Sequence, residues 1–273
     1  MDKISLAGDL GSGKSTVSRI LIDSLGAEYY STGSIVRSIA EDMGMTVVEL
    51  NKYMETHPEI DTMIDDGIRA LSDDERMLII DSRMAWHFTR GTFRVYLTVD
   101  LETSALRIMN ANRKGEHVAT LDETVKQTRA RRLSEQKRYM DQYGVDISDL
   151  ANYDLVVDTT TATPDEIATV IESSFREWSA GSRAPRCFVS PERLSYVDDE
   201  ADGDLIAELA EKVECGDSLP AVRVFEHDGE FFVVEGTESA LAYALNMRAL
   251  VPVCLTCEQP PKGAKFVKMK NSI

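Results

Sequence analysis

Residues Gly8-Asp-Leu-Gly11-Ser12-Gly13-Lys14-Ser15-Thr16 set three glycines, a lysine and three hydroxyls in the pattern G-x-x-x-x-G-K-[ST]. Such a loop turns consecutive backbone N–H groups inward around a phosphate, because glycine removes the side chains that would collide there. Lys14 then reaches the β- and γ-phosphates of a nucleoside triphosphate, and the Ser15 hydroxyl is placed as a magnesium ligand. Gly8, Gly11, Ser12, Gly13, Lys14, Ser15 and Thr16 are the candidate ATP site, with Mg2+ as its companion ion.

Three further groups of residues could act on what this loop holds. Arg37 follows Thr32-Gly33 by one helical turn, which aims a guanidinium at an anion beside the turn. Asp81 closes the apolar run "MLIID", the strand-end position from which a carboxylate holds a magnesium-bound water, and Arg83 lies on the same rim. Arg113, Arg129, Arg131, Arg132 and Arg138 gather in an otherwise acidic chain. On a helix Arg131 and Arg138 share a face, with Glu135 between them. These arginines fit two descriptions: a helix laced with surface ion pairs, or a mobile lid that brings cations over a migrating phosphoryl group and excludes water. The phosphate loop upstream favours the lid.

Elements must position these residues. Strand-like runs "KISLA", "AEYYS", "MLIID", "FRVYLTV" and "DLVVDT" alternate with helical stretches, including "KSTVSRILIDSLG" directly after the loop. That alternation predicts an α/β fold with a parallel sheet flanked by helices. Ligands in such a fold gather at the carboxyl ends of the strands, where the candidate residues lie.

Composition narrows the function classes. The chain has 47 acidic against 30 basic residues, a net charge of -17, and so lacks the basic footprint of a nucleic-acid binder. No apolar run approaches the roughly 18 residues of a membrane span, and the Met1-Asp2-Lys3 start is no signal peptide, so a cytoplasmic protein is expected. The nearest match to the guanine-reading N-K-x-D, Asn51-Lys-Tyr-Met54, lacks the aspartate and argues against a GTPase. What remains is a compact transferase that moves a γ-phosphoryl group to a small acceptor. The alternatives are a kinase for another small-molecule acceptor and, from another class, a non-catalytic ATP-sensing regulator with a partner-binding C-terminal domain.

The stretches "GDLGSGKSTVSRIL", "STGSIVRSIAEDMGM", "PEIDTMIDDGIRAL", "LIIDSRMAWHF" and "SEQKRYMDQYGVDISDLANYDLVVDTT" resemble the cytidylate kinases, especially their short archaeal-type branch. The resemblance runs over residues 1 to about 176 and implies a P-loop fold with core, acceptor-binding and lid regions. It implies ATP as donor and CMP or dCMP as acceptor. It further implies that Arg37 and Arg83 grip the acceptor phosphate while Arg131 and Arg138 neutralise the transferring group. Ser82 stands where that family usually has glycine, and Trp86 and His87 read as packing or rim residues.

Domain boundaries are expected at 1–178 for the kinase-like part, 179–186 for a linker ("SAGSRAPR") and 187–273 for a smaller α+β domain. In the last segment a helix "DGDLIAELAEKVECG", a hairpin turning at Asp228-Gly229 and a "VPVCL" strand resemble the N-terminal domain of ParB and its relatives, sulfiredoxin and the free-serine kinases. Thr237, Glu238 and Ser239 stand where those relatives carry phosphate-binding basic residues. A regulatory or oligomerising appendage that contacts a protein partner is the expectation. Cys254 and Cys257 have C-x-x-C spacing without a second pair, so "LVPVCLTC" is read as a buried strand with a cysteine facing the core.

Overall fold

Six consecutive buried residues, Lys3–Gly8, form β1, the central strand of the first compact unit. The computed structural model describes residues 3–54, 56–111, 120–182, 184, 186–197, 201–261 and 263–269. Arg113 lies outside these residues. β1 leads through the glycine loop into α1 (Lys14–Leu25), then β2 (Glu28–Ser31) and the helices α2 (Thr32–Asp42), α3 (Val47–Met54) and α4 (Pro58–Ala70). β3 (Leu78–Asp81), α5 (Ala85–Phe88), β4 (Thr92–Thr98), α6 (Leu101–Asn110) and the long α7 (Leu121–Tyr143) follow. After β5 (Leu155–Asp158) comes α8 (Pro164–Ser179).

Within this unit β4, β1, β3 and β2 lie side by side in that order, all parallel. Their apolar runs are near-continuous because both faces are covered; Ile4, Leu6, Ile79, Ile80, Val95 and Leu97 are fully buried. The register sets Leu6 against Asp81 and Gly8 against Leu97, which brings the loop and two strand ends to one edge. Beside it, α2, α3 and α4 build a satellite core around Leu50, Met54, Ile64 and Ile68.

The chain divides by contact density into Met1–Leu155 with Pro164–Pro185, and Val156–Thr163 with Arg186–Ile273. Ser179 ends α8 and Arg186 begins a strand. The second unit holds β6 (Arg186–Val189), β7 (Leu194–Val197), α9 (Gly203–Cys215), β8 (Val222–His227), β9 (Glu230–Glu235), α10 (Thr237–Leu245), β10 (Val251–Leu255) and β11 (Phe266–Lys268). Its strands run in the order β11-β7-β9-β8-β10-β6 in a mixed sheet, and α9 packs on α10 through Leu209, Val213 and Ala242. Asp228 and Gly229 turn the β8–β9 hairpin with φ of 51° and 79°, as a two-residue type I′ turn requires. Inside this unit the fully buried Asp158 carboxylate accepts from the Arg193 guanidinium at 3.1 Å and from the Ser190 N–H at 3.0 Å.

One expectation in this unit is corrected. The cysteine of β10 does not face the core: Val251 and Val253 are buried, whereas Pro252, Cys254 and Leu255 are exposed. The period-2 alternation of a half-buried strand carries Cys254 to the solvent side, and Cys257 is exposed as well. Among the described residues no cluster of three or more metal-ligating side chains occurs, and no helix is long and apolar enough to cross a membrane.

Candidate active site

The glycine loop takes a shape that side chains would block. Gly8 has φ 146°, and a Cβ there would stand 2.3 Å from the Leu97 carbonyl oxygen on β4. Gly13, at φ 81°, supplies the left-handed residue that opens α1. The first turn of that helix leaves Ser15 and Thr16 exposed, with its N–H groups and partial positive charge at the loop. Ser12 is buried and its hydroxyl donates to the Asp9 carbonyl at 2.8 Å.

Lys14 folds over this loop. Its Nζ donates to the carbonyls of Gly8 at 2.9 Å and Asp9 at 2.8 Å, and to the Ser12 hydroxyl at 3.4 Å. Burial, then the neighbouring Arg83 charge, pushes its pKa from 10.5 down to about 8, against the pull of Asp81, Asp9 and Glu135. A polyanion in the loop would reverse that shift by supplying the missing counter-charge.

Asp81 ends β3 next to this lysine and accepts from the Tyr29 hydroxyl at 2.8 Å. Its backbone carbonyl accepts from the Thr32 hydroxyl at 3.4 Å, which ties the start of α2 to the strand end. Ser31 caps α2 by accepting from the Ser34 N–H. Gly33 leaves room for Arg37, whose Nη1 lies 3.5 Å from where a Cβ would sit. Arg37 is exposed. An exposed hydroxyl and a strand-end carboxylate are hard oxygen donors, a set suited to Mg2+ with waters completing its shell.

Arg83 is reached from α7. Its Nε and Nη2 both donate to the Glu135 carboxylate, the second at 3.2 Å, and Nη1 lies 3.5 Å from the Gly8 carbonyl. Burial works against its charge, but Glu135 more than offsets this and holds the guanidinium firmly protonated. Arg131 donates to the same Glu135 carboxylate at 3.3 Å. Glu135 itself is held low by Arg83, again against burial. The two arginines therefore converge on one carboxylate, where a phosphate could replace it with the same bidentate geometry. Arg138, one turn further on, lies over the Tyr139 ring at 5.1 Å and faces Asp61 on α4. Arg131 bonds Glu135 directly, whereas Arg138 acts on that carboxylate only through its charge. Arg129 has no assigned part in this site.

Two contributors escape a reading of sequence alone. Asp9, an unspecified position in the loop motif, accepts from Tyr96 at 2.9 Å, Thr98 at 3.0 Å and the Val99 N–H at 3.2 Å, and pairs with Arg132 at 3.4 Å. It pins the loop to β4 and α7 to the loop. The other is the pairing of Glu135, itself expected on the arginine face of the helix, with Arg83, 52 residues away in sequence. Gly8, Asp9, Arg83, Tyr96, Arg132 and Glu135 line one cleft. Ser82, buried behind Arg83, accepts from the Met84 N–H at 3.3 Å and so fixes the turn that carries the arginine. His87 is exposed and packs edge-on to Trp86 and Phe88, as a rim residue.

Comparison with known proteins follows the same region. The sequence model of the cytidylate kinase-like family matches residues 3–161. A cytidylate kinase of Thermoplasma volcanium is 37% identical over 181 residues, covering 65% of this chain and 93% of its own. A cytidylate kinase of Sulfurisphaera tokodaii is 37% identical over 172 residues, covering 62% and 93%. An S-adenosylmethionine-dependent nucleotide dehydratase of Lacinutrix mariniflava is 36% identical over 184 residues, covering 67% of this chain and 38% of its own length.

Proposed function

The chain belongs to the cytidylate kinase-like family, and we propose that it transfers the γ-phosphoryl group of ATP to a nucleoside monophosphate, with CMP or dCMP as the preferred acceptor. Relatives at 35–37% identity named cytidylate kinase support the nucleotide-kinase part of this reading. The observation that carries it is the convergence of Lys14, Asp81, Arg83 and the α7 pair Arg131–Glu135 on one glycine loop.

In this reading the loop N–H groups and Lys14 hold the donor phosphates, and Arg37 and Arg83 hold the acceptor phosphate in line with them. Arg131 and Arg138 bring positive charge over the transferring group, since this reaction asks for positioning and charge stabilisation rather than covalent chemistry. Ser15 and Asp81 would hold Mg2+, which when bound neutralises charge on the donor phosphates. Glu135 releases Arg83 and Arg131 as the acceptor phosphate arrives, so the free enzyme keeps these cations paired and pre-aimed. The second unit enters as a ParB-like module for a protein partner, without phosphotransfer residues of its own: Glu235 is already engaged by Arg223, which also pairs with Glu258.

Arg83→Ala tests this assignment. Removing a bidentate phosphate partner should lower kcat/KM for CMP about a hundredfold or more, with the dissociation constant for ATP changed less than about threefold. Equal loss of ATP and acceptor binding would remove Arg83 from the acceptor side.

A further inference from the structure

Helices α1, α7 and α9 each end on a glycine in the left-handed conformation, Gly26, Gly144 and Gly216. Glycine belongs there because any Cβ is strained at positive φ. In the second unit α10 ends in the same geometry without one. The Met247 N–H donates to the Ala244 carbonyl at 2.9 Å and the Arg248 N–H to that of Tyr243 at 3.1 Å, closing a Schellman turn around a methionine at φ 49°. Asp228 is the one other described non-glycine residue with positive φ, and it sits in a hairpin turn that asks for it. Met247 is also 90% exposed, so burial within the chain does not offset the strain. Leu245, two residues back, is exposed as well.

The ground around this tip is acidic. Asn246 Nδ2 donates to the Ala210 carbonyl and Arg248 Nη2 to the Val213 carbonyl, both at 3.1 Å, which fixes the tip beside the last turns of α9. That end of α9 and the turn after it carry Glu211, Glu214 and Asp217, all exposed. Of the basic groups nearby, Lys212 is paired with Glu208 at 2.6 Å, and Arg248 spends an N–H on α9.

We propose that this tip is the surface by which the second unit holds a basic protein partner. Leu245 and Met247 anchor an apolar side chain of the partner segment, and lysines or arginines flanking that side chain meet Glu211, Glu214 and Asp217. This rests on the partner-module reading of the second unit and is independent of the phosphotransfer reading. An exposed apolar anchor inside a charged rim is how interface hot spots are built, and an unbranched thioether adapts to the surface it meets. A second copy of the chain is the poorer occupant, because a two-fold pairing sets each carboxylate rim against itself.

The test titrates the full chain with short peptides: an amphipathic helix of Leu and Lys, the same peptide with Ser for Leu, and the same peptide with Glu for Lys. Fluorescence anisotropy gives the affinity, and NMR of the methionine methyl groups gives the place. The Leu/Lys peptide should bind at least about tenfold tighter than either control, with the Met247 methyl signal moving most. Met247→Gly should weaken that binding at least about tenfold while raising the melting temperature by about 3 °C, since glycine relieves the left-handed residue. A methionine with a structural role only would lower the melting temperature when removed. Binding that survives Met247→Gly within about twofold, or that moves other methionine signals instead, overturns this surface and leaves the second unit a partner module through another face. Equal binding of the Ser-for-Leu peptide, tighter binding of the Glu-for-Lys peptide, or binding of none overturns the basic partner. A dimer in sedimentation that Met247→Gly dissolves would give the tip to a second copy and overturns it too.

Discussion

At the scale of single residues, the candidate site is organised by charges that the proposed phosphates would complete. Lys14 illustrates this most directly, because its pKa of about 8 lies well below the 10.5 of a free lysine. The sign follows. A folded-state pKa below the unfolded value means the unfolded chain binds the proton more tightly, so Lys14 costs stability below pH 8 and that cost fades between about 8 and 10.5. Binding MgATP supplies the counter-charge and should restore the ordinary pKa. At pH 8.5 binding should therefore take up a fraction of a proton approaching one, and at pH 7 almost none. Calorimetry in two buffers of different ionisation enthalpy measures this uptake. Lys14→Met should show none at either pH, and equal uptake in both proteins would place the titration elsewhere.

At the scale of elements, the loop works because β1, β4 and α7 meet there. Gly8 sits at φ 146° against the Leu97 carbonyl, a conformation and a distance that no side chain tolerates. Gly8→Ala should push β1 from β4 in the last turn of their register, lowering ATP affinity at least about tenfold and destabilising the fold by about 2 kcal/mol. A binding titration and a chemical melt check both; an unchanged melting profile would mean the loop relaxes freely. Much of this level was legible in the sequence. The glycine motif, the five strand runs and the helix after the loop are local patterns, and Asp81 and Arg83 could be placed from the end of "MLIID" alone. The part played by Asp9 and the pairing of Glu135 with Arg83 are not legible there, because each depends on a residue brought by another element. The Cys254 strand differs from its reading for another reason: an apolar run reads as a buried strand with a cysteine facing the core, whereas the alternation of β10 turns Cys254 to solvent.

At the scale of the whole molecule, the chain enters its second unit at Val156, returns at Pro164 and leaves again at Arg186. Composition signalled a break near Ser179–Arg186 but gave no sign of the earlier crossing, whose key residue is Asp158. That carboxylate is fully buried and neutralises Arg193, so Asp158→Ala leaves a buried guanidinium half unmet. The second unit should lose about 3 kcal/mol or more, read as early proteolysis within residues 186–273 during a temperature ramp. Unchanged protease resistance there would show the pair to be dispensable. The central claim, that this is a pyrimidine-preferring nucleoside-monophosphate kinase working through the glycine loop, is tested most directly by a coupled ATP-consumption assay of the full chain. The assay runs CMP, dCMP, UMP, AMP, GMP and free serine as acceptors, with Lys14→Ala as control. The account predicts turnover fastest with CMP or dCMP and a loss of more than about tenfold in the variant. ATP binding without turnover on any acceptor, or turnover that survives loss of Lys14, would contradict it.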